Sequence, residues 1–184
     1  MTFELPPAAL FCSVILVVSL AAIYDIRYRR IPNWLVLTGI LLGVGLNTFL
    51  FEWAGLRFSL LGFGVAFLIY FPLYLLRGMG AGDVKLMASV GAMVGWANWV
   101  AVFLITAILG GIAAAALLLN RNRLLYGLTN VGYMMGELLS FRPPYARNEE
   151  LDLGSSRSMK LPHGVFIALG SFLFLAAAWL WAPR

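Results

Sequence analysis

Charge is scarce in this chain: Asp, Glu, Lys and Arg make up only 11% of its 184 residues, whereas soluble domains carry about 25%. With 62% hydrophobic residues, too little polar material remains to dress a water-facing exterior. A lipid-facing exterior removes that demand. Cysteine is nearly absent. Cys12 stands alone inside an apolar run, which excludes a disulfide within the chain and a CxxC metal site; it reads as a small core or lipid-facing residue. Histidine also occurs once, as His163. One histidine without neighbouring ligands makes a poor metal site, so it reads as an interfacial side chain with an apolar body and a polar tip. No metal and no other cofactor is expected. The net charge of +5 would suit nucleic acid if the basic residues formed a stripe. They lie between apolar segments instead, which points to a lipid bilayer and to no nucleic-acid partner. The N-terminal stretch lacks the basic n-region of a signal peptide, since Glu4 is its only charge before Asp25, and residues 8–24 read as a retained helix.

What the chain has is apolar runs. A spanning helix needs about 20 mostly apolar residues, and six candidates emerge, at about 8–24, 33–51, 57–76, 84–98, 100–119 and 163–181. The expectation is an all-α membrane protein: a bundle of six transmembrane helices forming a single membrane-embedded domain over 1–184, with a cytoplasmic loop, 120–162, between helices five and six. The fourth and fifth candidates are split only by Trp96-Ala97-Asn98-Trp99. A single long tilted helix is the rival there, and a tight turn is preferred because so long an apolar run exceeds one crossing. If the first helix runs outside to inside, the inner segments collect Arg27, Arg29, Arg30, Arg77, Lys85, Arg121, Arg123, Arg142, Arg147, Arg157 and Lys160, and the outer ones only Arg57 and Arg184. That positive-inside bias puts both termini outside. Trp53, Trp96, Trp99, Trp179 and Trp181 then fall at outer ends, as an aromatic belt would, and Trp34 near the inner one. Gly39 with Gly43, and Gly91 with Gly95, are small-xxx-small pairs suited to close helix approach. Pro72 is expected to kink the third helix. Within the loop, 124–139 has apolar residues at helical spacing and suits an interfacial amphipathic helix, while 142–160 reads as a flexible loop.

Two of the eight acidic residues stand apart. Asp25 ends the first apolar helix and Asp83 begins the fourth, which by this topology puts both at one depth on one side. Ionisable groups there are costly unless they face a polar cavity or a partner. Two carboxyls sharing a site do not both ionise easily, and such a pair can do general acid–base work on a peptide bond. Plainer readings stay open at this point. Asp25 precedes Arg29 by four residues and could form an interfacial ion pair; Asp83 could cap the fourth helix. The run Gly78-Met79-Gly80-Ala81-Gly82-Asp83 puts three glycines at a helix entrance, which permits positive φ and close approach of an extended peptide. Ile31-Pro32-Asn33 puts Pro32 where a helix starts and its missing N–H does no harm.

Gly80-Ala81-Gly82-Asp83 resembles the GxGD motif of membrane aspartic proteases. Together with Asp25-Ile26-Arg27-Tyr28-Arg29-Arg30-Ile31-Pro32-Asn33, with Val84-Lys85, and with Leu161-Pro162-His163-Gly164 before the last helix, the pattern closely resembles the type IV prepilin peptidases. The resemblance implies that Asp25 and Asp83 are the catalytic pair, that Gly78, Gly80, Gly82, Lys85 and Pro32 support the motif, and that the substrates are prepilins or pseudopilins cut at the cytoplasmic face of a bacterial inner membrane. Bifunctional members carry an extra domain with paired CxxC motifs and methylate the new N-terminus. With one cysteine and a short first connection, this chain looks like the short form serving Flp/Tad-type pili, and methyltransferase activity is not expected. The presenilin-like branch also uses GxGD but needs about nine helices and a Pro-Ala-Leu motif, neither of which is present. Lys85 is read as a snorkelling interfacial lysine, because positions i and i+2 do not share a helix face. Glu149, Glu150 and Asp152 could attract a basic leader, although a solvated loop is the commoner explanation. A transporter or proton-relay bundle using the same two aspartates is the competing function. The oligomeric state is not readable from the sequence.

Overall fold

The computed structural model describes residues 7–75, 79–120, 129, 132, 136 and 162–181. Four helices result: α1 (Ala8–Tyr28), α2 (Asn33–Leu75), α3 (Ala81–Asn120) and α4 (His163–Trp181). All four are long and apolar enough to cross a membrane, which makes this an all-α multi-pass membrane protein. Its exterior agrees. Leu16, Leu41, Phe49, Leu68 and Ile108 lie more than half exposed along the helix shafts, where a water-soluble surface would carry charge. Cys12 is exposed among them on α1.

Six separate spanning helices were expected; among the described residues there are four long ones, two of which turn back on themselves. In α2 the torsions leave the helix at Glu52 (φ 51°, ψ −132°) and in α3 at Gly95 (φ 75°, ψ 168°). Asn47 and Gly55 would stand about 12 Å apart along a straight helix at 1.5 Å per residue, yet a Cβ on Gly55 would run into the Asn47 carbonyl. Trp99 Nε1 donates to the Met87 carbonyl at 3.1 Å, a pair that would be about 18 Å apart in a straight helix. Both helices are therefore antiparallel hairpins of two limbs. The second break was expected at Trp96–Trp99 and falls at Gly95 instead, because glycine accepts positive φ without a Cβ penalty and leaves room for the Phe58 ring, which a Cβ there would strike. Trp99 is correspondingly no belt residue. It is fully buried, stacked on Phe103 and edge-on to Tyr70. Trp53, Trp96, Trp179 and Trp181 do stay exposed.

Small residues set how closely the limbs approach. Gly43 lies against the main chain of Ala92, where a Cβ would come within 2.8 Å of the carbonyl carbon, and Gly62 meets Gly91. Gly39 lies against Ser89 and Met93. Polar clasps hold the same contact, since burial in an apolar bundle leaves these groups no water. Asn47 Nδ2 donates to the carbonyls of Gly43 (2.8 Å), Ala92 (3.2 Å) and Met93 (3.3 Å), and Ser59 Oγ donates to Ala92 as well. α3's first limb, buried from Leu86 to Gly95, is thus the axis of the bundle. Pro72 lies inside α2, with helical torsions continuing past it to Leu75. The expected interfacial helix at 124–139 lies outside the described residues except Thr129, Gly132 and Gly136, which are helical. The flexible loop expected at 142–160, with Glu149, Glu150 and Asp152, also lies outside them.

Candidate active site

Three contacts gather the end of α1 and the beginnings of α2, α3 and α4 at one end of the bundle, opposite the reversals at Glu52 and Gly95. Lys85 Nζ donates to Asn33 Oδ1 at 3.0 Å. Gly82 packs on Ile31, where a Cβ would come within 3.2 Å of the Ile31 Cβ. The Gly164 N–H donates to Asp25 Oδ2 at 2.8 Å. The segments that bear the sequence motifs are therefore neighbours in space.

Asp25 was expected to end the first helix and instead lies inside it. Its main-chain carbonyl accepts the Arg29 N–H at 2.9 Å, and Arg29 closes α1 in the left-handed region at φ 53°. The extra turn carries the charged Arg27 and Tyr28 past the apolar part, while Asp25 points inward and is 8% exposed. Its carboxyl is held by the start of α4, whose free N–H groups and positive dipole end suit an anion. Glycine leaves room opposite it: a Cβ at 164 would stand 3.0 Å from Asp25 Oδ2 and 3.1 Å from its Cβ, closer than side chains ordinarily pack.

Asp83 was open to reading as a helix cap. It lies in the first turn of α3 rather than before it, and the cap position falls to Gly80, whose carbonyl accepts the N–H of Asp83 (3.1 Å) and Val84 (3.4 Å). Gly80 and Gly82 act through lack of bulk, not through positive φ, which among the described glycines occurs at Gly95. A Cβ on Gly80 would come within 3.1 Å of Asp83 Oδ2. Gly78 lies outside the described residues. Pro32 opens α2, its carbonyl accepting the N–H of Leu35 (3.2 Å) and Val36 (3.4 Å). Lys85 is exposed, as a snorkelling lysine would be, and bonds Asn33 rather than Asp83.

The segments that carry the two carboxyls are joined by the Gly82–Ile31 and Lys85–Asn33 contacts. Two further side chains share this end that the sequence did not single out for it. Tyr70 is buried, wedged edge-on against Trp99 and Phe103, and the charge of Asp83 acts on it. The antiparallel limbs explain this: Gly62 meets Gly91, and a step of eight residues along each limb in opposite directions brings Tyr70 level with Asp83. His163 was expected at the interface. It instead has its Nε2 buried, with the Asp25 charge acting on the imidazole. Tyr70 carries no local signal and His163 only its place in the Leu161-Pro162-His163-Gly164 segment, because the pairings are set by how the limbs pack. Among the described residues no three of His, Cys, Asp and Glu converge as a metal site would require.

Comparison with known proteins gives one consistent answer. The model of the type IV leader peptidase family matches residues 11–115. A prepilin leader peptidase/N-methyltransferase of Pseudomonas putida is 32% identical over 108 residues, covering 55% of this chain and 37% of the relative. One of Bacillus subtilis (strain 168) is 32% identical over 122 residues, covering 65% and 47%. One of Stutzerimonas stutzeri is 33% identical over 102 residues, covering 51% and 35%. The chain thus spans between about a third and a half of the length of these relatives. No solved structure matches it.

Proposed function

From the type IV leader peptidase family, to which this chain belongs, we propose a membrane aspartic endopeptidase that removes the basic leader of prepilins or pseudopilins, with Asp25 and Asp83 as its catalytic pair. What supports the reading is that the segments bearing Asp25 and Asp83 pack together at one end of the bundle, with Gly82 on Ile31 and the Asp25 carboxyl held by the Gly164 N–H. Paired carboxyls titrate as a unit. In the reaction, the ionised member takes a proton from water as that water attacks the scissile carbonyl carbon, and the protonated member gives its proton to the carbonyl oxygen. Collapse of the tetrahedral intermediate breaks the C–N bond, with a proton passed to the leaving amine, and the pair returns to its starting state. Water, two carboxyls and a peptide balance this step.

The same reading includes six crossings of the bacterial inner membrane, with both termini outside and the aspartates at the cytosolic leaflet. The basic residues at the site end, among them Arg27, Arg30 and Lys85, support that orientation. The N-methyltransferase activity in the relatives' names is not carried over to this chain, which has one cysteine.

The test is cleavage of a co-expressed prepilin by the wild type and by Asp25→Asn and Asp83→Asn. Asparagine keeps size and shape, so both variants should insert normally, while cleavage falls by about 10³-fold or more. Mature pilin formed at the normal rate by Asp83→Asn would end the reading. A proton-relay bundle would leave prepilin uncut by the wild type too.

A further inference from the structure

We propose that His163 is a substrate-binding residue whose Nε2 hydrogen-bonds the main chain of the leader peptide beside Asp25; this rests on the peptidase reading. Buried polar atoms in folded proteins are nearly always partnered. Among the described residues four are not: Asn47 Oδ1, Ser89 Oγ, Thr106 Oγ1 and His163 Nε2. The first three sit along helix shafts, where a hydroxyl rotor can turn to a carbonyl one turn back or, for Asn47, the same amide already makes three bonds through Nδ2. The imidazole has no such freedom. Its ring is planar, and Nε2 lies at the far end from the backbone.

The ring's position is fixed from both sides. The next residue, Gly164, is tied to Asp25 by the 2.8 Å hydrogen bond, which sets the backbone from which the imidazole projects. On the other side, Cε1 lies 4.0 Å from where a Cβ on Gly110 would stand, so the ring is tucked towards the last limb of α3. Phe166, one turn on, lies tilted against it. The nitrogen left over therefore belongs to the same corner of the bundle as the Asp25 carboxyl. A peptide bound in extended form for hydrolysis has unpaired N–H and C=O groups along its length. It can satisfy Nε2 in either tautomer of a neutral imidazole, by accepting or by donating. An unpartnered nitrogen in the free protein and a partner supplied by the bound chain are two halves of one arrangement.

The experiment compares purified wild type, His163→Phe and His163→Gln on one prepilin, with thermal stability measured in the same detergent. Phenylalanine keeps the ring's bulk without nitrogen; glutamine puts a hydrogen-bonding atom near the position of Nε2. The expected result is a loss in kcat/KM of about tenfold for His163→Phe, carried by KM, as for one lost hydrogen bond in binding. His163→Gln should recover to within about threefold of the wild type, and His163→Phe should melt no lower than the wild type, because it removes an unsatisfied buried atom. Unchanged kcat/KM in His163→Phe, a loss carried by kcat alone, or a lowered melting temperature in both variants would overturn the proposal. Each of these is read against a wild type that cleaves. A wild type that leaves every prepilin uncut overturns the peptidase reading first, and this proposal with it.

Discussion

The Cα of Gly164 lies so near the Asp25 carboxyl that even the smallest side chain would crowd it. A Cβ would fall 3.0 Å from Oδ2 and 3.3 Å from Cγ, tighter than ordinary carbon–oxygen contact, and α4 or the carboxyl must give by a few tenths of an ångström. Positioning errors of that order in a catalytic group lower rates steeply, by about 100-fold for a displacement of about 1 Å. Gly164→Ala is therefore expected to lower kcat for prepilin cleavage by about 10- to 100-fold, with the protein inserted at its normal level. Gly111→Ala, where an added Cβ meets nothing within 4 Å, should leave the rate unchanged; equal rates in the two variants would remove Gly164 from the site. At this scale the sequence was legible where scarcity helps. In an apolar chain a carboxyl is conspicuous, and depth drew attention to Asp25 and Asp83, but the cap and ion-pair readings stayed open until the motif resemblance was added. The partner of Asp25 could not, because Gly164 is 139 residues away in sequence and a main-chain N–H leaves no trace in residue type. His163 looked like an interfacial side chain because its neighbours in the sequence say nothing about Asp25.

At the scale of elements, hydropathy reported the apolar runs but not their joints. Lipid-facing and core-facing positions are both apolar here, so the usual amphipathic periodicity has nothing to mark. The joint in α3 was sought at Trp96–Trp99 because tryptophan favours membrane interfaces. Yet Trp99 belongs to the core, stacked with Phe103 and edge-on to Tyr70, and Gly95 makes the turn. The conformation at Gly95, φ 75°, is strained for any residue with a Cβ, at about 1–3 kcal/mol, and the Phe58 ring fills the space a Cβ would take. Gly95→Ala should thus destabilise the bundle by about 2 kcal/mol or more, measured by denaturant or thermal unfolding in detergent. Gly45→Ala, in open space on α2, should be neutral or slightly stabilising, by about 0.5–1 kcal/mol. The Phe58→Ala, Gly95→Ala double variant separates the two causes, because it relieves the clash and leaves the backbone strain. A Gly95→Ala protein as stable as wild type would mean that α3 does not turn there.

For the whole molecule, the hairpins decide how often the chain meets each side of the bilayer. A straight α2 of 43 residues would be about 65 Å long, roughly twice the hydrocarbon thickness of about 30 Å, so a single crossing would leave half of it in water with its leucines and phenylalanines exposed. Folding back at Glu52 halves that length and returns Leu75 to the side from which Asn33 set out. The end that holds the aspartates also carries Arg27, Arg29, Arg30 and Lys85, whereas the reversal end has Glu52 and Arg57. Basic residues near helix ends favour the cytosolic side, and a cytosolic site is where the leader of a protein not yet exported can be reached. The arrangement makes a three-position labelling experiment decisive. In a Cys12→Ser background, cysteines are placed singly by Arg30→Cys, Trp53→Cys and Leu75→Cys, all at exposed residues, and treated with a membrane-impermeant maleimide. Trp53→Cys should be labelled in intact right-side-out cells, and Arg30→Cys and Leu75→Cys only after permeabilisation. Position 75 behaving like position 53 would mean that α2 crosses once, and position 30 labelled in intact cells would turn the site to the outer face, where an uncut leader does not arrive.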